Sequence, residues 1–125
     1  MDRLVRTLLI EDELYAIERI TQILKEYNFI EFEIVSDCKK AKEKLELTNW
    51  DIVITTTFIY GLSAAEVNHI AKEKNKEVCV IVISGLSSVD IAQKCVREGA
   101  FDYVLKPQDI ERLRSLIKIY VMSKK

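Results

Sequence analysis

The stretch of sequence that decides the fold is Val78-Cys79-Val80-Ile81-Val82-Ile83, which is apolar at every position. A strand with one face in water alternates apolar and polar side chains, whereas a strand covered on both faces is apolar throughout. The stretch therefore predicts a central strand of a sheet that carries helices on both sides. It is far too short to cross a bilayer.

On either side of this strand, strand patterns and helix patterns alternate along the chain. The other predicted strands cover residues 4–10, 32–35, 52–56 and 103–105. The predicted helices cover residues 13–27, 39–48, 63–75, 87–99 and 110–120. In the first helix, the predicted core-facing stripe is Leu14, Ile17, Thr21 and Leu24. Strict alternation with short connections predicts an α/β protein with a doubly wound, five-stranded parallel sheet in a three-layer α/β/α arrangement.

Length, charge and cysteine content narrow the class of protein. The chain has 125 residues, enough for one core and too few for two ordinary domains, so we expect a single domain over residues 1–125 with no output domain. Its 19 basic and 20 acidic residues nearly cancel, which leaves no charge footprint for nucleic acid or a membrane surface. The N-terminus lacks the apolar core of a signal peptide, and Cys38, Cys79 and Cys95 are spaced like free thiols, so a cytoplasmic location is predicted.

The single histidine and two of the cysteines are expected to be structural. His69 is the only histidine, which excludes a histidine-based zinc site. His69, Cys79 and Cys95 lie at helix or strand positions that we expect to face the core.

Polar residues follow four of the predicted strands at the point where each strand ends. Glu11 and Asp12 follow the first strand, and Thr56 ends the third. Ser84 follows the fourth strand and Lys106 follows the fifth. In sheets of this kind, function gathers outside the carboxyl ends of the strands, near the point where the strand order switches. We therefore expect these side chains to share one rim and to form an acidic pocket.

Four short motifs have the order and spacing of a known family. They are Leu8-Leu9-Ile10-Glu11-Asp12-Glu13, Asp51-Ile52-Val53-Ile54, Val80-Ile81-Val82-Ile83-Ser84-Gly85 and Gly99-Ala100-Phe101-Asp102-Tyr103-Val104-Leu105-Lys106-Pro107. With these motifs the chain resembles the response-regulator receiver domain from about residue 4 to residue 122. The resemblance implies a flavodoxin-like fold and a non-enzymatic role in two-component phosphorelay signalling. The motif variants are most similar to those of receivers that precede DNA-binding output domains.

The resemblance also implies a metal site. In typical receivers, the residues at the positions of Glu11 and Asp12 hold Mg²⁺ together with the acceptor aspartate, and a backbone carbonyl near Phe58 completes the protein ligands. Oxygen ligands are those that this hard cation prefers.

A switch is implied by three further positions. Ser84 occupies the position of the hydroxyl that bonds the phosphoryl group, and Lys106 that of the cation that pairs with it. Tyr103 occupies the position of the aromatic side chain that rotates inward when the hydroxyl is drawn toward phosphate.

The departure from the family is concentrated around the acceptor position. Thr56 stands where the family has its phosphoacceptor aspartate, and a hydroxyl cannot form the acyl phosphate that the mechanism needs. The following loop differs too, with Tyr60 at the proline position and Ser63-Ala64 at the Asp-Gly position. We therefore predict a diverged pseudo-receiver with no catalytic residue and no required cofactor. Binding of Mg²⁺ should be weaker than about millimolar, and Asp12 is the expected partner of Lys106.

The resemblance also implies a contact surface, because the family commonly uses its fourth helix, fifth strand and fifth helix for protein contacts. Its residues here are Gln93, Lys94, Arg97, Asp102, Tyr103, Arg112 and Ser115. Their mixed charges suit a modest polar interface, either in a homodimer or with a protein partner or output domain.

Two other functions are weighed against the phosphorylation-independent receiver. One is a working phosphoreceiver that uses a substitute acceptor or a noncovalent ligand in the pocket. The other is a flavodoxin-like cofactor module, which is disfavoured because Glu11-Asp12-Glu13 would repel a phosphate after the first strand. Purely structural roles are the alternative at each position: a rim ion pair for Lys106, a loop cap for Ser84 and a packing aromatic for Tyr103.

Overall fold

A computed structural model describes residues 4–85 and 89–124 of the chain. Its strands are β1 (Val5–Ile10), β2 (Ile30–Val35), β3 (Ile52–Thr56), β4 (Phe58–Ile59), β5 (Leu62–Ser63), β6 (Cys79–Ser84) and β7 (Asp102–Leu105). Its helices are α1 (Leu14–Leu24), α2 (Cys38–Leu47), α3 (Ala64–Lys74), α4 (Val89–Arg97) and α5 (Leu113–Ser123), with a 3-10 turn at Ile110–Arg112. Among the described residues, no helix is both long and apolar enough to cross a membrane.

The main sheet has five parallel strands in the order β2-β1-β3-β6-β7. The order reverses direction at β1 and β3, so the crevice at their carboxyl ends is the expected place for a functional site. The predicted doubly wound α/β fold is confirmed.

The central strand β6 is buried along its whole length, as its apolar sequence predicts. Successive side chains of a strand point to opposite faces of the sheet. Ile81 accordingly packs in a cluster with Ile20 of α1 and Leu116 of α5, whereas Val80 packs in a second cluster with Leu45 of α2 and Val67 of α3. The sheet therefore separates two apolar cores, one under each layer of helices.

The buried face of α1 differs from the predicted stripe. Leu14 is exposed, and Ile17 and Thr21 are only half-buried. The residues that pack into the core are Ala16, Ile20, Ile23 and Leu24. Two apolar stripes overlap on this helix, and packing against the sheet selects the one that contains Ala16, Ile20 and Ile23.

The fourth helix ends as the sequence predicts, at a glycine. Gly99 has a φ of +108°, a conformation that other residues adopt only with strain. A Cβ at this position would also lie 2.8 Å from Nδ2 of Asn68. The predicted start of the helix at residue 87 lies outside the described residues.

A short antiparallel hairpin, formed by β4 and β5, follows β3 and was not predicted. Ile59 and Leu62 point into the core, and Gly61 makes the turn with a φ of +88°. The Sγ of Cys38 donates a hydrogen bond to the Gly61 carbonyl at 3.4 Å. Ser63 then caps α3 in a capping box. The hairpin is thus fixed by its buried side chains, by the hydrogen bond at its turn and by the capping box that follows it.

A buried hydroxyl in β1 generates a stability prediction. Thr7 is fully buried, and within residues 4–85 and 89–124 its Oγ1 has no hydrogen-bond partner. Replacing Thr7 by valine keeps the shape and removes the uncompensated polar group, so Thr7→Val should raise the free energy of unfolding by about 1 kcal/mol. Urea denaturation measures the change.

The matched control is Thr7→Ala, which removes the same hydroxyl but also a buried methyl group. We expect this variant to be less stable than Thr7→Val because it leaves a cavity. A Thr7→Val protein less stable than the parent would show that the hydroxyl is satisfied.

Candidate functional site

Four strand ends bring the predicted pocket residues to one edge of the sheet. Glu11 follows β1, Thr56 ends β3, Ser84 ends β6 and Lys106 follows β7. The cross-strand partners nearest this edge are Ile10 with Thr55, Thr56 with Ile83, and Ser84 with Leu105. The rim expected from the sequence is therefore present in the fold.

An ion pair between Glu11 and Lys106 occupies the floor of the pocket. The Nζ of Lys106 lies 3.0 Å from Oε1 and 2.9 Å from Oε2 of Glu11. The Glu11 side chain is fully buried, and its Oε2 also accepts the backbone N–H groups of Asp12 (3.1 Å) and Glu13 (3.0 Å). A buried carboxylate is tolerated only when it is paired and hydrogen-bonded in this way.

The expected pairing of Lys106 with Asp12 is wrong. Glu11 turns inward beneath the strand ends, whereas Asp12, the next residue, turns outward and is exposed. Lys106 also approaches Oε1 of Glu13 at 3.5 Å, a contact that the sequence motif did not single out. Among the described residues, no lysine or arginine pairs with the Asp12 carboxylate.

Thr56 is buried at the end of β3, and its side chain is neutral. Its carbonyl accepts a hydrogen bond from Oγ1 of Thr55 at 3.0 Å. A carboxylate at the same position would bring a further negative charge to the rim. Like charges at close range raise each other's pKa and destabilise the ionised state.

The donor atoms at this rim do not fit a tight Mg²⁺ site. Both oxygens of Glu11 are engaged by Lys106, which leaves Asp12 and a backbone carbonyl near Phe58 as protein ligands. Mg²⁺ demands several oxygen ligands in near-octahedral geometry. In the part of the chain that the structure describes, no group of three or more histidine, cysteine or acidic side chains is placed to hold a metal ion.

The two predicted switch residues are buried near the same rim. Ser84 is buried, and its carbonyl accepts the backbone N–H of Lys106 at 2.8 Å. The Tyr103 side chain is only 7% exposed and packs in a small apolar cluster with Ala64, Val82 and Ala100. The phosphate and switch roles of these residues remain predictions.

The predicted contact surface is only partly assembled. A groove of about 550 Å³ is lined by Ala92, Gln93, Val96, Arg97, Asp102, Tyr103 and Arg112. Arg112 and Asp102 form an ion pair of 2.6 Å across it. Lys94 is not among the residues that line this groove, and Ser115 lines a separate groove beside Tyr27, so these two do not join the others.

The single histidine and the two cysteines expected in the core differ in how deeply they are buried. The expectation that His69 faces the core is wrong, because it is exposed on α3 and its Nε2 lies 3.3 Å from Glu73. Cys79 is buried, and burial raises the pKa of its thiol to about 12. Cys95 is half-buried, and burial also raises the pKa of its thiol. Burial therefore disfavours the thiolate, which is the reactive form, in both residues.

Sequence comparison gives the family and several relatives of this chain. A sequence model of the response regulator receiver domain family matches residues 7–118 of this chain. The transcriptional regulatory protein MalR of Bacillus subtilis is 27% identical over 118 residues, which cover 94% of this chain and 50% of MalR. A cyclic di-GMP phosphodiesterase of Thermotoga maritima is 35% identical over 109 residues, which cover 86% of this chain and 28% of that protein. The chain thus spans about half the length, or less, of these relatives.

Solved structures share the architecture. The BeF3-activated DrrB receiver domain has a TM-score of 0.84 at 19% identity, covering 95% of this chain and 98% of that one. HP1043, an orphan response regulator of H. pylori, has a TM-score of 0.76 at 22% identity, covering 94% and 96%. Identities this low show only that the fold is shared. Membership of the family rests on the match to the family's sequence model. Because that match covers most of its length, this chain belongs to the response regulator receiver domain family.

Proposed function

We propose that this chain is a phosphorylation-independent receiver domain that transmits a signal in a two-component pathway through protein contacts. The observation that carries the proposal is the neutral, buried Thr56 at the acceptor position, together with a Lys106 whose charge is already compensated by Glu11. A threonine hydroxyl cannot form an acyl phosphate. The proposal takes residues 1–125 as one domain with no enzymatic activity of its own, working in the reducing cytoplasm.

The pairing of Lys106 with Glu11 supports a structural role for the pocket at the four strand ends. In a phosphorylated receiver this lysine would have to pair with the phosphoryl group. Here it holds the buried Glu11 carboxylate in a two-oxygen contact, and moving it would leave that charge uncompensated at a cost of several kcal/mol. The ion pair is therefore a clamp between the first and last strands of the domain rather than a phosphate sensor.

The contact face that we propose is the groove lined by α4, β7 and Arg112 of the 3-10 turn. Buried Tyr103 supports an inward position of the switch aromatic without phosphate. None of the residues of α4 is buried, so this helix offers its side chains to a partner. The name of MalR, a transcriptional regulatory protein, supports an output domain as the partner, with a homodimer through the same face as the alternative.

A working phosphoreceiver is the second candidate, because the exposed Asp12 carboxylate is available as a substitute acceptor. Intact-mass measurement with a small-molecule phosphodonor and Mg²⁺ separates the two functions. We expect no phosphoryl addition to the parent chain. Thr56→Asp should gain a labile phosphoryl group, since it restores the carboxylate that can form the acyl phosphate, and Thr56→Asn should not. A labile adduct on the parent chain would overturn the proposal, and peptide mapping would locate it.

Metal binding provides an independent prediction. With one carboxylate engaged by Lys106 and the acceptor carboxylate missing, calorimetric titration of the parent chain with Mg²⁺ should show binding weaker than about millimolar. Thr56→Asp should bind more tightly, because it returns one anionic oxygen ligand to the rim. Saturable tight binding by the parent chain would contradict the expectation.

The clamp role generates a stability prediction. Lys106→Met should destabilise the fold by about 3 kcal/mol, because it leaves the Glu11 carboxylate buried without its cation. Glu11→Gln should also destabilise it. The double variant should be more stable than the sum of the two losses predicts, because neither charge is then left alone. Additive losses in urea denaturation would show that the two side chains do not depend on each other.

A further inference from the structure

Helix α4 is held by less buried surface than the other helices. It buries none of its residues, whereas α1, α2, α3 and α5 each bury at least two. Its half-buried residues Ile91, Ala92 and Cys95 pack on the small apolar cluster that contains Tyr103. Packing of an apolar face supplies most of the stability of a helix in a protein. Contacts at the ends of α4 therefore matter more for its position than they do for the other helices.

The C-terminal end of α4 is bonded to α3 by a side-chain amide. Asn68 of α3 is only 8% exposed, and its Nδ2 donates a hydrogen bond to the backbone carbonyl of Glu98, the residue that follows α4. The last carbonyls of a helix have no partner within the helix. Asn68 supplies a partner from 30 positions earlier in the sequence, so this bond ties one helix to the other.

The backbone that follows α4 leaves room for this amide. The helix ends in a Schellman motif, in which the N–H of Ala100 bonds the carbonyl of Cys95 at 3.0 Å. Gly99, within this motif, has a positive φ, and a Cβ there would lie 2.8 Å from Nδ2 of Asn68. A residue with a side chain at this position would therefore push the amide away from the carbonyl that it bonds.

Packing alone does not favour an asparagine here. The Oδ1 of Asn68 is buried and has no hydrogen-bond partner in the described part of the chain. A buried acceptor without a partner costs free energy, so leucine, which has a similar size and no polar atom, would suit the packing at least as well. The small cavity beside Asn68 is lined mainly by apolar residues, namely Ala64, Ala65, Val82, Cys95 and Ala100, together with Glu98. What the asparagine adds is the bond to the end of α4.

The contact with Asn68 and the proposed contact face lie on different sides of α4. Cys95 and Glu98 line the cavity beside Asn68. The α4 residues that line the groove are Ala92, Gln93, Val96 and Arg97, and Asn68 is not among the residues of that groove. A change at Asn68 therefore reaches the groove only through α4.

We propose that Asn68 is a positioning residue, which fixes the end of α4 against α3 and thereby sets the α4 wall of the groove. The use of this groove as a contact face rests on the proposed function. Loss of the amide bond frees the end of α4 and leaves the sheet and the other helices in place.

The test is native-state hydrogen exchange of the full chain, measured by NMR, with urea denaturation of the same samples. In Asn68→Leu, the amides of α4, Gly99 and Ala100 should exchange about fivefold faster than in the parent chain, because one hydrogen bond no longer opposes local opening. The amides of β6 should keep their protection, and the free energy of unfolding should be unchanged or higher. The amide shifts of Asp102 and Tyr103, which line the groove from β7, should change as α4 moves.

A second variant and a matched control isolate the hydrogen bond. Asn68→Asp keeps the shape and removes the N–H donor, so it should accelerate exchange of the same amides as Asn68→Leu. The control is Asn75→Leu. Asn75 follows α3, and its Nδ2 also donates to a distant backbone carbonyl, that of Trp50, at 2.8 Å. Its replacement should leave exchange in α4 and the shifts in the groove unchanged.

The outcomes separate this proposal from the proposed function. Unchanged exchange in α4, or unchanged shifts in the groove, in both Asn68 variants would overturn the positioning role. Equal acceleration in every strand and helix would also overturn it, because a purely structural residue gives that result. These measurements need neither a phosphodonor nor a partner, so each such result leaves the proposed function standing. A labile phosphoryl adduct on the parent chain would overturn the proposed function and leave the role of Asn68 intact.

Discussion

The buried ion pair between Glu11 and Lys106 is the interaction on which the functional rim depends. Glu11 follows β1 and Lys106 follows β7, and the strands β3 and β6 lie between them. At the usual strand spacing, the axes of β1 and β7 are roughly 14 Å apart. The two side chains, with the backbone that leaves each strand, bridge that distance. They hold the strand ends together and compensate the charge that burial would otherwise penalise.

The replacement of the acceptor residue and the ion pair are parts of one electrostatic arrangement. A carboxylate at the end of β3 would compete with Glu11 for the single ammonium group of Lys106. Thr56 is neutral, so the Lys106 ammonium group pairs with Glu11 and approaches Glu13 without competition from an acid at the end of β3. In the function that we propose, a pocket balanced in this way supports the surfaces around it rather than chemistry inside it.

The β4–β5 hairpin and helix α4 differ in how the core supports them. The hairpin with Phe58 and Tyr60 is fixed by buried residues, a glycine turn and a capping box. Helix α4, in contrast, contributes no buried residue to the core. The hairpin is therefore rigidly supported, whereas α4 packs on the core through half-buried residues such as Ile91 and Cys95.

The alternation of strand and helix patterns, the buried central strand and the gathering of polar residues at one rim were determined by the sequence alone, because each depends on local periodicity and on the geometry of parallel sheets. Tertiary structure decided which of two adjacent acids pairs with Lys106, which stripe of α1 is buried and that His69 faces solvent. Neighbouring residues such as Glu11 and Asp12 carry the same charge, so their sequence does not distinguish them. Packing turns one side chain into the core and leaves the other in water, and only the folded chain makes that choice.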